Sequence, residues 1–267
     1  MSKQPIGIFD SGLGGLTVLR ELRRRLPREH FIYFGDTANV PYGSKSKQTV
    51  TLFSLAIARF LEQEKHAKAI VVACNTASAQ ALNALKKHCH IPVFSVIEPG
   101  AERAIQATHN GHIAILGTEG TVRSKAYEKA LYKLNPKVRI TAKSCPLFVP
   151  LVEEGWERKP ATRLIAQEYL APIRKSQADT VILGCTHYPL LREQIVRILG
   201  KRVRLINPAE ALAKKVQETL PQSTHAETAG KGSMVLFSSD DPARFKQLAQ
   251  LILAENIPAV HLKKLNV

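Results

Sequence analysis

The chain has 267 residues, 45% hydrophobic and 22% charged, which is the makeup of a globular protein with room for one large domain or two ordinary ones. No apolar run approaches the ~20 residues that span a bilayer, so an integral membrane protein is excluded on this reading. The formal net charge of +16 gathers in LRELRRRLPR (19–28) and KRVRL (201–205); without interleaved aromatics it reads as a solvated basic surface, with nucleic-acid binding as the alternative.

Short apolar runs alternate with helical patterns along the chain. IGIFD (6–10) reads as a strand ending at SGLGG, and Leu16, Leu19, Leu22 and Leu26 then recur at near-helical spacing. HFIYFGD (30–36) is a second strand, followed by the loop TANVPYGSKS. Residues 48–63 read as a helix with Val50, Phe53, Ile57, Phe60 and Leu61 on one face; AIVVAC (69–74) is a buried strand, 76–88 a helix and PVFSV (92–96) a strand. The rhythm then repeats. HIAILGTEGTV (112–122) leads into a helix around 121–134, VRITAKSC (138–145) is a strand, and PLFVPLVEEGW (146–156) a long connection. A helix at 162–175, the strand TVILGC (180–185), a helix at 189–199 and the strand VRLIN (203–207) follow. PAEALAKKVQETL (208–220) opens with Pro in a first helical turn. TAGKGSM (228–234) reads as a flexible loop; MVLFSS (234–239), a helix near 242–253 and a short strand finish the chain. Strands alternating with helices predict parallel sheets covered by helices.

Two segments repeat weakly. Residues 6–22 align with 113–130, and AIVVACNTASA with TVILGCTHYPL, at nearly equal offsets. The repeat predicts two similar α/β units, each presenting a cysteine at a strand end, Cys74 and Cys185. Ligands of open parallel sheets bind beyond the carboxyl ends of strands. A following helix N-terminus lowers a thiol pKa toward neutrality, so each cysteine is a candidate acid–base, a small buried hydrophobe being the alternative. Paired acid–bases on two facing units suit inversion of a stereocentre, which takes a proton from one face of a carbon and returns one to the other.

Supporting groups lie nearby. Asp10 could orient Cys74 or cap a helix, and His187 could serve Cys185 in the same way. Glu153 or Glu154 could give Cys185 a second partner, a solvated loop being the default reading. Ser11, Asn75, Thr76 and Thr186 supply donors and acceptors for carboxylates and an ammonium. PYGSKS (41–46) could close over a small ligand with backbone N–H groups and the Ser44 hydroxyl. DSGLGG lacks both the G-x-G-x-x-G register and the G-K-[ST] ending of nucleotide loops. The cysteines contain no C-x-x-C that would suggest a metal, and no Lys stands in an evident pyridoxal-phosphate context. The opening MSKQPIGIFDSG lacks a signal-peptide core and cleavage site, so a cytoplasmic protein with reduced thiols is expected.

GIFDSGLGGLTV (7–18), YFGDTANVPYG (33–43), VVACNTASA (71–79), CPLFVPLVEEG (145–155) and LGCTHYPLL (183–191) together resemble the bacterial glutamate racemases, in order and over nearly the whole chain. The resemblance implies two pseudosymmetric doubly wound α/β domains, 1–97 with 208–267 and 98–207, and an active site at their interface. It implies cofactor-independent racemisation of L-glutamate to D-glutamate for peptidoglycan, with no metal, in a homodimer. Cys74 then acts on the D-enantiomer and Cys185 on the L-enantiomer, assisted by Asp10, Glu153 and His187. Ser11, Pro41, Tyr42, Gly43, Ser44, Asn75, Thr76 and Thr186 match the family's substrate-binding positions. Asp36 lies in a family motif and is a lesser candidate, while Cys89 and Cys145 are read as structural. Aspartate is the alternative substrate. The rival from another class is a nucleic-acid-binding role driven by the +16 charge; some members of the family act on DNA gyrase, and neither interaction has a supporting motif here.

Overall fold

The structure is a computed structural model that describes residues 4–220, 232–257 and 259–266. In chain order, β1 (Ile6–Asp10) and α1 (Leu16–Arg25) precede β2 (Phe31–Gly35), and two 3₁₀ turns at Thr37–Asn39 and Tyr42–Ser44 lead to α2 (Lys47–Arg59). Then come β3 (Ala69–Val72), α3 (Asn75–His88), β4 (Val93–Ser95), α4 (Ile97–Ala107) and β5 (His112–Gly117). The helices α5 (Glu119–Ser124) and α6 (Ala126–Leu134) precede β6 (Arg139–Ser144), α7 (Phe148–Glu153), α8 (Pro160–Ser176), β7 (Thr180–Gly184), α9 (Arg192–Leu199) and β8 (Arg204–Ile206). Last are α10 (Pro208–Thr219), β9 (Met234–Ser238), α11 (Pro242–Leu253) and β10 (Val260–Leu262).

The strands form two sheets, ordered β10-β9-β2-β1-β3-β4 and β6-β5-β7-β8, and every pairing is parallel. The run β2-β1-β3-β4 has the same order as β6-β5-β7-β8, so the repeat read from the sequence superposes β1 on β5 and β3 on β7. Both faces of β1, β2, β3, β5 and β7 are covered, which is why these strands are near-continuous apolar runs, whereas the edge strand β6 is polar and partly exposed. Side chains alternate across the pleat. Ile6, Ile8, Phe31, Tyr33 and Val71 pack with the Leu16–Leu22 face of α1 and with α10 and α11, while Phe9, Ile32, Phe34, Ile70 and Val72 face α2 and α3. In the second sheet Ala114, Leu116, Val181 and Leu183 face α7, α8 and α9, and Ile113, Ile115 and Ile182 face α4 and α6. Each fully buried aliphatic side chain contributes roughly 1.5–3 kcal/mol.

Local chemistry sets the helix ends. Ser46 accepts the Thr49 N–H at 3.2 Å at the start of α2, and Asn207 and Asp241 accept from Ala209 and Arg244 at the starts of α10 and α11, where Pro208 and Pro242 hold the first helical position. Arg23, Arg24 and Arg25 occupy the last turn of α1, complementing its dipole.

The structure departs from the sequence reading in several places. The helix expected over 48–63 ends at Arg59 and widens into a π turn at Phe60–Glu64, which keeps both Phe60 and Leu61 buried. The helix expected around 121–134 is two helices, because Lys125 turns left-handed at φ 54° and restarts the chain in a new direction. The connection 146–156 contains α7, masked in the sequence by Pro146 and by Pro150, which the first helical turn tolerates. The helix expected from 189 opens as a 3₁₀ turn at Tyr188–Leu191. Pro99 and Gly100 hid α4 altogether. Residues 228–231 of the expected loop lie outside the described residues. Among the described residues no helix is long and apolar enough to cross a membrane.

One close approach in the second sheet is testable. A Cβ on Gly184 would stand 2.7 Å from the Leu116 carbonyl oxygen, a backbone atom that cannot move aside. Gly184→Ala is expected to lower stability by about 1–3 kcal/mol in denaturant unfolding; an unchanged midpoint would show that the strand junction yields.

Candidate active site

The carboxyl ends of β1 and β3 in one sheet and of β5 and β7 in the other meet at a cavity of about 300 Å³. Its wall contains Ser11, Pro41, Tyr42, Gly43, Ser44, Cys74, Asn75, Thr76, Glu153, Cys185, Thr186 and His187. Residues that the sequence scatters over 177 positions thus line one space. Asp10 and Asp36 are not on the wall but behind it.

Cys74 is the residue just before α3 and accepts the Ala77 N–H at 3.4 Å, while its thiol donates to Ser11 Oγ at 3.8 Å. The expectation of a lowered pKa fails here. Burial, reinforced by the negative charge of Asp10, pushes the thiol up to about 12 and outweighs the N–H groups of Ala77 and Ser11. Cys74 therefore rests as a neutral thiol. Cys185 does not sit at an α-helix start, since a 3₁₀ turn separates it from α9. Its electrostatic partner is a side chain instead: Sγ lies 3.8 Å from His187 Nδ1.

His187 Nε2 lies 3.1 Å from Glu153 Oε1 at the end of α7, completing a Cys185–His187–Glu153 chain. Burial disfavours the imidazolium, yet the hydrogen bonds and charges of Cys185 and Glu153 prevail and raise the His187 pKa to about 10. Between the two acidic candidates at 153 and 154, the chain settles on Glu153; Glu154 is exposed and faces Arg244 at 3.4 Å.

Asp10 is fully buried at the end of β1 and accepts from the Gly12 N–H at 3.1 Å and from Thr186 Oγ1 at 3.4 Å. It caps no helix, for α1 begins after Gly15 without a side-chain cap. Burial raises its pKa, an effect partly offset by the charge of His187 and by its own hydrogen bonds. Asp36 is a scaffold: it accepts from Tyr42 Oη at 2.6 Å, from Asn39 Nδ2 at 3.0 Å and from Ser239 Oγ at 2.8 Å, and so holds the Val40–Ser44 wall from behind.

Gly14 of DSGLGG serves contact between the halves, whereas Gly15 makes room for Asp10 and Tyr33 within its own half. A Cβ on Gly14 would collide with Thr186 and His187, so this residue lets the Cys185 loop lie against the start of α1. Thr17 Oγ1 donates to the Thr186 carbonyl at 3.1 Å in the same contact.

Sequence reasoning missed Val40, Thr118, Glu119, Pro146, Val149 and Pro150 on the cavity wall. Thr118 was within reach: the repeat that pairs Ile6 with Ile113 also pairs Ser11 with Thr118. It bonds Thr76 Oγ1 at 2.8 Å across the cavity floor. The Pro146–Pro150 wall followed from no such signal. Cys145 is fully buried and Cys89 partly so, and all four cysteines are free thiols. No cluster of metal-ligating side chains occurs among the described residues.

Comparison with known proteins agrees with this geometry. The sequence profile of the Asp/Glu/Hydantoin racemases matches residues 6–216. The glutamate racemase of Geobacter metallireducens is 49% identical over 262 residues, covering 98% of this chain and 97% of that protein. The crystal structure of a glutamate racemase from Bacillus anthracis matches with a TM-score of 0.90 at 37% identity, covering 98% of this chain and 97% of that one. The glutamate racemase of Francisella tularensis, solved in complex with D-glutamate, matches with a TM-score of 0.91 at 34% identity, covering 99% and 98%. With two like-ordered sheets closing on a cavity that holds two cysteines, and with these similarities over its length, the chain belongs to the Asp/Glu/hydantoin racemase family, among the glutamate racemases.

Proposed function

We propose that the chain interconverts L- and D-glutamate without a cofactor, by proton transfer between two thiols. The observation that carries this reading is the single cavity lined by both Cys74 and Cys185, each following the equivalent strand of an equivalently ordered sheet. Enantiomers differ by exchange of two groups at one carbon, so a site with an acid–base on each side serves both.

For L-glutamate, Cys185 acts as the base and Cys74 as the acid. The His187 imidazolium is the counter-charge of a Cys185 thiolate, and Glu153 balances that imidazolium in turn. The thiolate takes the α-proton, and the Cys74 thiol returns its own proton to the opposite face. In the reverse direction Cys74 must ionise beside Asp10, and the substrate ammonium supplies positive charge for that step. The α-proton is very weakly acidic, so fixed dipoles and charges account for most of the barrier reduction. Ser11, Ser44, Asn75, Thr76 and Thr186, with backbone N–H groups near Pro41, Tyr42 and Gly43, hold the two carboxylates. Asp10 acts on Cys74 through its charge.

We assign residues 1–97 with 208–267 to one domain and 98–207 to the other, supported by the membership of the two sheets. The peptidoglycan role, the homodimer and the cytoplasmic location are carried into this reading by the family resemblance alone.

Proton NMR in D2O tests the reaction, with L-aspartate run in parallel. Loss of the glutamate α-proton signal with D-glutamate appearing is expected; exchange confined to aspartate would move the substrate, and no exchange from folded, reduced protein would overturn the reading. Cys74→Ser and Cys185→Ser are each expected to slow racemisation by at least about 10³-fold, and near-wild-type turnover in either excludes the two-thiol mechanism.

The His187 ion pair has its own signature. Its pKa is raised from 6.5 to about 10, so its protonation stabilises the fold fully below pH 6.5, and that contribution is lost as pH rises through about 10. The thermal stability of the wild type relative to His187→Asn is expected to decline across this window; a pH-independent difference argues against a protonated His187.

A further inference from the structure

We infer that Tyr127 is a positioning residue for substrate binding: its hydroxyl turns the side-chain amide of Asn75 so that the NH2 group faces the cavity and donates to a substrate carboxylate. This rests on the reading of the cavity as a glutamate site.

Tyr127 lies in the first turn of α6, among the second sheet's helices, and its side chain is fully buried. Its hydroxyl donates to Asn75 Oδ1 at 2.7 Å, reaching across to the first sheet's α3. Asn75 directly follows Cys74 and lines the cavity; Tyr127 does not. The ring is guided there by the backbone. The left-handed turn at Lys125 redirects the chain into α6, and the missing side chain of Gly184 leaves room for the ring, whose Cε2 lies 3.2 Å from where a Cβ would stand. Tyr127 thus touches the residue after one candidate base and the residue before the other.

The hydroxyl is not needed for packing. The neighbours Ile97, Ala101, Ile113, Ile182 and Leu131 are aliphatic, and a phenylalanine ring would fill the same space. Burial and the charge of Cys185 push the phenol pKa far up, so it keeps its proton and donates. An amide presents one acceptor oxygen and one donor NH2 group on opposite edges. With Oδ1 engaged by Tyr127, the donor edge remains for the ligand. Without the phenol, the amide rotates freely and presents its oxygen to an anionic carboxylate part of the time, which weakens binding. Neither thiol contacts the hydroxyl, so proton transfer itself is spared.

Tyr127→Phe is tested on the wild-type and Asn75→Ala backgrounds, by steady-state racemisation of L-glutamate with thermal unfolding alongside. On the wild type, KM is expected to rise about tenfold, with kcat within about threefold. On Asn75→Ala, where no amide remains to orient, no further rise in KM is expected. An unchanged KM on the wild type, or an equal rise on both backgrounds with a lowered Tm, overturns the inference and leaves Tyr127 a core residue. A failure of the glutamate reading is distinguishable, because it shows in the wild type as no α-proton exchange at all.

Discussion

Buried and half-buried hydrogen bonds that cross between the two halves are the constraint on which the site depends. Thr17 reaches the Thr186 carbonyl, Thr186 reaches Asp10, Thr76 meets Thr118 and Tyr127 meets Asn75. Every one joins the carboxyl edge of one parallel sheet to that of the other. Alone, each sheet would present half a cleft and one cysteine to water. Pinned edge to edge, they form one cavity in which both cysteines are buried, and charge and hydrogen bonding there act in a medium of lower polarity. The small residues of the DSGLGG turn make that approach sterically possible, since a side chain at Gly14 would occupy the place of Thr186 and His187.

The two halves share an architecture but not an electrostatic environment. The thiol of the first half lies beside a carboxyl group, Asp10, and rests protonated. The thiol of the second half lies beside an imidazolium supported by Glu153. In the repeat, the position matching His187 is Thr76 and the position matching Asp10 is Gly117. A symmetric fold therefore carries an asymmetric pair of partners: a carboxyl group beside one thiol and an imidazole–carboxylate pair beside the other.

Much of this was legible in the residues. The strand-end cysteines, the alternation of strands and helices and the approximate repeat follow from short-range patterns of period 2 and 3.6. The PYGSKS loop was legible as a candidate ligand cover from its own residues, and the family resemblance added Pro41, Tyr42 and Gly43 as candidate binding positions. What failed did so for physical reasons. Prolines inside first turns concealed α4 and α7, because proline is a helix breaker only where its missing N–H would have had a partner. The ionisation of Cys74 was misjudged because helix position can be read from sequence, whereas burial and the approach of Asp10 depend on the tertiary fold. Glu153 could not be separated from Glu154 until α7 set which carboxylate faces His187. Tyr127 gave no signal, being an aromatic at core spacing like many others.

The anchor of the Val40–Ser44 cavity wall has a consequence for the order in which the chain can be completed. Asp36 holds Tyr42 from one side and Ser239 from the other, and Ser239 lies 203 residues further along the chain. It follows β9, the strand that extends the first sheet beside β2. The second sheet, by contrast, is drawn entirely from residues 112–206. During synthesis that unit is complete while the first sheet still lacks its outer strands, and the loop over the cavity has one support missing. Closing so distant a contact is slow compared with local pairing. The cavity wall at Tyr42 therefore gains its full set of hydrogen bonds only after Ser239 has been made and has docked beside Asp36.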